Sequence, residues 1–179
     1  VENLQNDDCF QVEFRTAMDE TVQKNIYSAE ILRLDPVEQW PLLSELTDTT
    51  ILLEKEQMIV PAIRKTQILK KKLFLQTELS NYRAQQTDNY DLSYNSKEVI
   101  EENEDGRKIY DLFLRSTKEA EGDTIQKKWI QTNAFRIDSL IDNAIASGLD
   151  IQRDSLHIRL NYGQRYNADT TKFIWTSSS

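Results

Sequence analysis

Residues 129–151 read WIQTNAFRIDSLIDNAIASGLDI. Ile130, Ala134, Ile137, Ile141, Ala144 and Gly148 follow one another at steps of four and three. That spacing predicts the seam of an amphipathic helix nearly three heptads long. Trp129, Leu140 and Ile145 widen the stripe, as in a bundle of three or four helices. Gly148 after Ser147 supplies the left-handed stop. The stretch holds no histidine or cysteine, so it predicts a surface for another chain rather than a reaction centre.

The same period is legible upstream. Phe14, Met18, Val22, Ile26, Ala29 and Leu32 describe one helical face, ended by Asp35-Pro36. From residue 37 to 83, Leu42, Leu46, Leu53 and Val60 keep the spacing, and Ile68, Leu75, Leu79 and Tyr82 resume it beyond Pro61. Proline inside a helix costs about 3 kcal/mol and kinks it. Both halves together would span roughly 70 Å at 1.5 Å per residue. Residues 1–83 therefore predict a long helical hairpin or coiled-coil segment, and residues 107–148 a set of amphipathic helices. Between them, residues 84–106 are polar and acidic and predict a linker. In residues 149–179 the period changes. Leu156, Ile158, Leu160 and Tyr162 alternate with polar residues, as in a half-buried strand, and Phe173 and Trp175 suggest a second. The expected fold is mainly α: an elongated coiled-coil or helical-bundle subunit with a small C-terminal β-hairpin.

Composition points the same way. The chain of 179 residues has Gly 4 and Pro 3, few breakers for a fold rich in tight turns. Its net charge of −8 disfavours phosphate neutralisation by the molecule as a whole. One basic run, Lys70, Lys71 and Lys72 after Arg64-Lys65, offers a nucleic-acid contact or salt bridges within a coiled coil. Cys9 stands alone, which excludes an intrachain disulfide and a cysteine zinc site. No apolar run approaches the roughly 18 residues that span a bilayer. The chain opens on valine without a signal-peptide pattern, and it reads as an internal stretch of a longer cytosolic or nuclear protein.

Candidate chemistry is sparse. His157 lies on the polar face of the expected strand, with no second metal-ligating residue at a recognisable spacing. Cys9 follows Asp7-Asp8, which disfavour its thiolate. Glu101, Glu102, Glu104 and Asp105 cluster in the expected linker, where a solvated acidic loop is the simpler reading. Phosphate-cradling and nucleophile-elbow motifs are absent. No enzyme activity, cofactor or metal is expected.

The stretch 127–163 resembles the C-terminus of the centromere protein H family. A tryptophan-bearing helix leads into Ile145, Ser147, Gly148, Asp150, Asp154 and Leu156, with Ile151 where that family has tryptophan. The resemblance implies a non-enzymatic scaffold of the inner kinetochore, in the nucleus at the centromere and active in chromosome segregation. Its partners would be centromere protein K along the helices and centromere protein I as a dock. From the residues alone, the expected interface is Leu46, Leu53, Val60, Leu75, Leu79, Trp129, Ile130, Ala134, Ile137, Ile141 and Ala144. Stripes that long predict an obligate hetero-oligomer without a membrane. A coiled-coil adaptor or tether in a transcription or trafficking complex, and a self-contained helical-bundle regulator, remain the alternatives.

Overall fold

The computed structural model describes residues 5–16, 29–44, 62–97, 101–167 and 172–178. In order these form β1 (Phe10–Thr16), β2 (Ala29–Pro36), β3 (Glu38–Ser44), β4 (Ala62–Leu69), β5 (Lys72–Tyr94), β6 (Glu101–Glu102), β7 (Lys108–Arg136), α1 (Asp138–Ala146), β8 (His157–Asn167) and β9 (Lys172–Ser178). The protein is a β protein with one short helix among the described residues, and the expectation of a mainly α coiled coil is wrong.

The chain divides into two compact units, Val1–Gln39 and Trp40–Ser179. In the first, β1 and β2 pair antiparallel from Phe10↔Pro36 to Thr16↔Ala29, with a bulge between Glu13 and Phe14. The alternation of Phe10, Val12 and Phe14 with polar residues is a strand period, so the stretch is extended where a helix was expected. The open end of the hairpin is tied by the Val37 N–H to the Cys9 carbonyl at 2.8 Å and by Gln39 Nε2 to the Asp7 carbonyl at 2.9 Å.

The second unit is a curled seven-stranded sheet in the order β4-β5-β3-β7-β8-β9, with β6 on β7 and β5 also paired with β7. Its frame is one antiparallel ladder from Lys72↔Arg136 to Ser93↔Phe113. Strands of 23 and 29 residues are several times the usual length, and over that distance the right-handed twist curls the sheet on itself. Register shifts around Arg83 bend the pair further. There Gly122 takes φ +80 and its carbonyl accepts from Arg83 Nη1 at 2.9 Å.

Register sorts the faces. Leu73, Leu75, Thr77 and Leu79 of β5 stand opposite Phe135, Asn133, Gln131 and Trp129 of β7. Further along, Tyr90 and Leu92 stand opposite Ser116 and Leu114. Leu73, Leu75, Leu79, Tyr90, Leu92, Leu112, Leu114 and Phe135 form the interior, which α1 fills with Leu140 and Ala144 and the residue before it, Ile137, while Trp129 at the far end is exposed. The Ile137 N–H bonds the Lys71 carbonyl at 3.0 Å, fixing the start of the helix to the β4–β5 turn.

The decisive stretch therefore splits. Trp129 to Arg136 ends β7, and only Asp138–Ala146 is helical. Ile130 and Ala134 face opposite ways to Trp129 and Phe135 in a strand, so the heptad spacing is coincidental there. The inward face runs Gln131, Asn133, Phe135, with Trp129 exposed at its outer end and small Ala134 buried on the opposite face, and its two polar members hide a period of two. Residues 84–94, expected as linker, continue β5 without a break. At the C-terminus β8 and β9 are antiparallel neighbours, but β8 also pairs parallel with β7, so they extend the large sheet and form no separate hairpin.

Candidate functional site

The curled sheet does not close between β4 and β8. β4 pairs with β5 alone, so one of its edges has no strand partner among the described residues. β9 pairs with β8 only from Leu160 onward, which leaves the same edge of His157, Ile158 and Arg159 unpaired among those residues. Between the two strands lies a cavity of about 530 Å³. Buried Leu73, Leu75 and Leu160 form its floor. Ile68, Ile109, Leu156 and Ile158 form its walls, and Thr66, Gln67, Asn103 and His157 supply its polar atoms.

The edge of β4 is set by its turn. Lys70 and Lys71 take φ +48 and +61, both in the left-handed region. That is the geometry of a two-residue type I′ hairpin, whose twist matches the strands it joins. Such a turn closes on a hydrogen-bonded pair, here Leu69↔Lys72. Alternate residues then turn their N–H and C=O groups outward, and Ile68 and Thr66 present theirs to the seam.

The β8 lip is held by charge. Arg159 Nε and Nη2 donate to the two oxygens of Asp111 at 2.6 Å each, Nη2 also reaches Glu101 at 2.5 Å, and Asn161 Nδ2 donates to Asp111 at 2.8 Å. Burial pushes the Asp111 carboxyl up, but the bonds from Arg159 and Asn161 outweigh it and hold it below the usual range. The Arg159 guanidinium is held above its ordinary value, chiefly by Asp111 and then by Glu101. The cluster ties β6 and β7 to the first residues of β8.

Beside the groove, a second cavity of about 320 Å³ lies among the β6–β7 turn, the end of α1 and the α1–β8 loop. Asn103 organises that turn, its Oδ1 accepting the N–H groups of Asp105 and Arg107 at 3.1 and 2.8 Å.

The residues expected as an interface fall elsewhere. Leu46, Leu53 and Val60 lie outside the described residues. Leu75, Leu79, Ala134, Ile137 and Ala144 are buried in the second unit's own core, and Ile141 packs against it. Trp129 stacks on Tyr82 with ring centroids 4.9 Å apart, and Ile130 is exposed. The side chains assigned to a partner are thus mostly consumed by the fold itself. Lys70 and Lys71 form the hairpin turn and Lys72 is buried, so the three lysines share no helix face. Cys9 is a half-buried free thiol. Glu101 pairs with Arg159, while Glu102, Glu104 and Asp105 are exposed; no group fit to hold a metal occurs among the described residues. His157 was expected in solvent. It is instead half-buried at the meeting of the two cavities, with Nε2 enclosed and unpartnered among the described residues. Strand pairing alone makes this site, and pairing between residues far apart leaves no local motif.

No protein-family model and no curated protein matches the chain. Solved structures do. An uncharacterised protein from Parabacteroides merdae superposes with a TM-score of 0.72 at 18% identity, over 96% of this chain and 79% of that one. A NigD-like immunity protein from Bacteroides caccae gives 0.54 at 11%, over 94% and 70%. A protein of unknown function, DUF1344, from Bacteroides vulgatus gives 0.52 at 13%, over 96% and 70%. At these identities the likeness establishes the fold alone. It also removes the centromere protein H resemblance, because the chain shares its fold with bacterial β proteins and the matching stretch is a strand end, a short helix and a loop. With it go the kinetochore scaffold, the coiled-coil pairing with centromere proteins K and I, and the nuclear, centromeric location, all of which rested on that resemblance and on a helical fold that the chain does not have.

Proposed function

We propose that this chain is an immunity-type binding protein, not an enzyme, and that it captures an extended segment of a partner protein in the seam between β4 and β8. The observation that carries this is the pair of strand edges, unpaired among the described residues, on either side of an apolar cavity of about 530 Å³. An extended peptide there gains main-chain bonds from the edges, and its alternate side chains fill the groove. An open edge beside an exposed Ile68 and Leu69 is otherwise an aggregation hazard. The name immunity protein, borne by one structure of the same fold, fits a protective role through binding. Among the described residues that line the groove, His157 is the one titratable side chain, which suits recognition better than acid–base chemistry. Exposed Glu102, Glu104 and Asp105 beside Asn103, in a chain of net charge −8, favour a segment whose apolar residues alternate with basic ones.

The test is selection of displayed random ten-residue peptides on the full chain, followed by calorimetry of the recovered peptides and of versions N-methylated on alternate amides. N-methylation on the edge-facing amides is expected to weaken binding at least tenfold. Thr66→Pro, which removes an outward N–H from an edge position where proline is tolerated, is expected to do the same without changing the melting temperature. Binding indifferent to every N-methyl group, or failure to recover any peptide, would refute the reading.

A further inference from the structure

The apolar groove does not end at His157. The same imidazole lines the second cavity of about 320 Å³, and the β6–β7 turn borders both, with Asn103 on the groove and Gly106, Arg107 and Lys108 on the second cavity. The two spaces are continuous in their walls and opposite in chemistry. Arg107, Lys108 and Arg153 converge on the second, in a molecule that is acidic overall. The one acid among its described lining residues, Asp154, already accepts the Asp150 N–H at 2.8 Å. Lys108 Nζ rests on the Ser147 carbonyl at 2.5 Å, and Arg153 Nε lies 3.7 Å from the Asp150 carboxylate. Gly106 and Gly148 leave open space where a Cβ would stand. At the junction the enclosed His157 Nε2 has no partner among the described residues, and a buried imidazole nitrogen without a partner is costly.

We propose that the second cavity receives the C-terminal carboxylate of the partner segment, so that the chain recognises the end of a polypeptide. This rests on strand addition in the seam and adds to it a terminus and a direction. A carboxylate is the anion that any extended chain carries at its end, and capture of that group is a recurrent mode of peptide recognition. Arg107 and Arg153 offer it charge-assisted bonds, which are the strong ones. His157 Nε2 stands where the apolar groove gives way to the cationic cavity, placed to donate to the terminal group.

The test uses the full chain and a peptide library displayed with free C-termini, beside a library displayed internally. Recovered peptides are made as acids, as C-terminal amides and as N-methylated acids, and dodecanoate is titrated separately. Acids are expected to bind at least tenfold tighter than amides, and Arg107→Gln with Arg153→Gln is expected to erase that difference. Equal affinity of acid and amide, with N-methylation still damaging, would overturn carboxylate capture while leaving strand addition intact. Indifference to N-methylation would overturn both. Binders recovered from the internal library alone would overturn the terminus, and dodecanoate binding as tightly as the peptide acids would assign the site to fatty acids.

Discussion

Trp40 Nε1 donates to Asn133 Oδ1 at 3.2 Å across 93 positions of sequence. The same oxygen accepts from Gln131 Nε2 at 3.4 Å, and the Tyr90 hydroxyl donates to Gln131 Oε1 at 3.3 Å. The Trp40 ring meets Tyr90 edge-on, with centroids 5.9 Å apart. A polar network thus joins β3, β5 and β7 inside the sheet. Asn133 is fully buried, and Asn133→Ala strands the donors of half-buried Trp40 and Gln131. The expected cost is about 1–3 kcal/mol, read as a lower urea midpoint with a red-shifted tryptophan emission. An unchanged midpoint would mean that the network contributes nothing.

Leu140 is fully buried in α1 and Ile130 is exposed on β7. Leu140→Ala is expected to lose about 2–5 kcal/mol and Ile130→Ala almost nothing, both by chemical denaturation. A continuous amphipathic helix would make the two losses comparable, so the ratio tests the split at Ile137.

The Lys70-Lys71 turn holds two non-glycine residues at positive φ. Each L-residue placed there loses roughly 1–2 kcal/mol relative to right-handed backbone, and Asn-Gly suits the turn. Lys70→Asn with Lys71→Gly is expected to stabilise the protein by about 1 kcal/mol. The surface pair Lys71–Asp142, 3.4 Å apart, is lost with little effect. A fall in melting temperature would show that the turn conformation is not as described.

Two carboxyls give opposite pH dependences. Asp111 is held below its usual value in the fold, so its contribution is present above the unfolded value of about 3.9 and is lost as pH falls through the lower folded value. Asp88 is shifted upward, chiefly by burial and despite its bond from Gln86. Its penalty is absent at low pH and grows as pH rises from the unfolded value through the higher folded one. Asp88→Asn is therefore expected to stabilise at pH 7 and to leave stability at pH 3 unchanged. Asp111→Asn should destabilise at pH 7 and flatten the acid limb. Denaturation midpoints from pH 2 to 8 check both signs.

Parts of this structure are legible in the amino acids. The alternation of Leu156, Ile158, Leu160 and Tyr162 marks β8, and Gly148 marks the end of α1 at φ +99. The long strands are hidden by their own contents. Thr77, Gln131 and Asn133 occupy inward positions that a hydrophobic pattern fills with leucine; Asn133 and Gln131 bond distant Trp40 and Tyr90 there, and the Thr77 hydroxyl donates to the Gln131 carbonyl. Ile130, Ala134 and Ile137 then supply a false helical period. Scarcity of glycine and proline excluded short, turn-rich strands, but it fits long strands as well as long helices. The β4–β5 turn deepens the ambiguity by reaching positive φ with two lysines. The groove is less legible still, because an unpaired edge is a property of the assembled sheet.

The ladder that runs from Lys72↔Arg136 to Ser93↔Phe113 serves both halves of the curl at once. Its pairs span from 113 − 93 = 20 to 136 − 72 = 64 positions of sequence, and pairing between residues so far apart slows folding. A slip of one residue along either uninterrupted part of it would turn that part's inward side chains outward, except where a bulge such as that at Arg83 absorbs it. Evolution of such a molecule is accordingly constrained: adding or deleting a single residue in either great strand re-addresses the side chains beyond it unless a bulge, like that at Arg83, takes up the change.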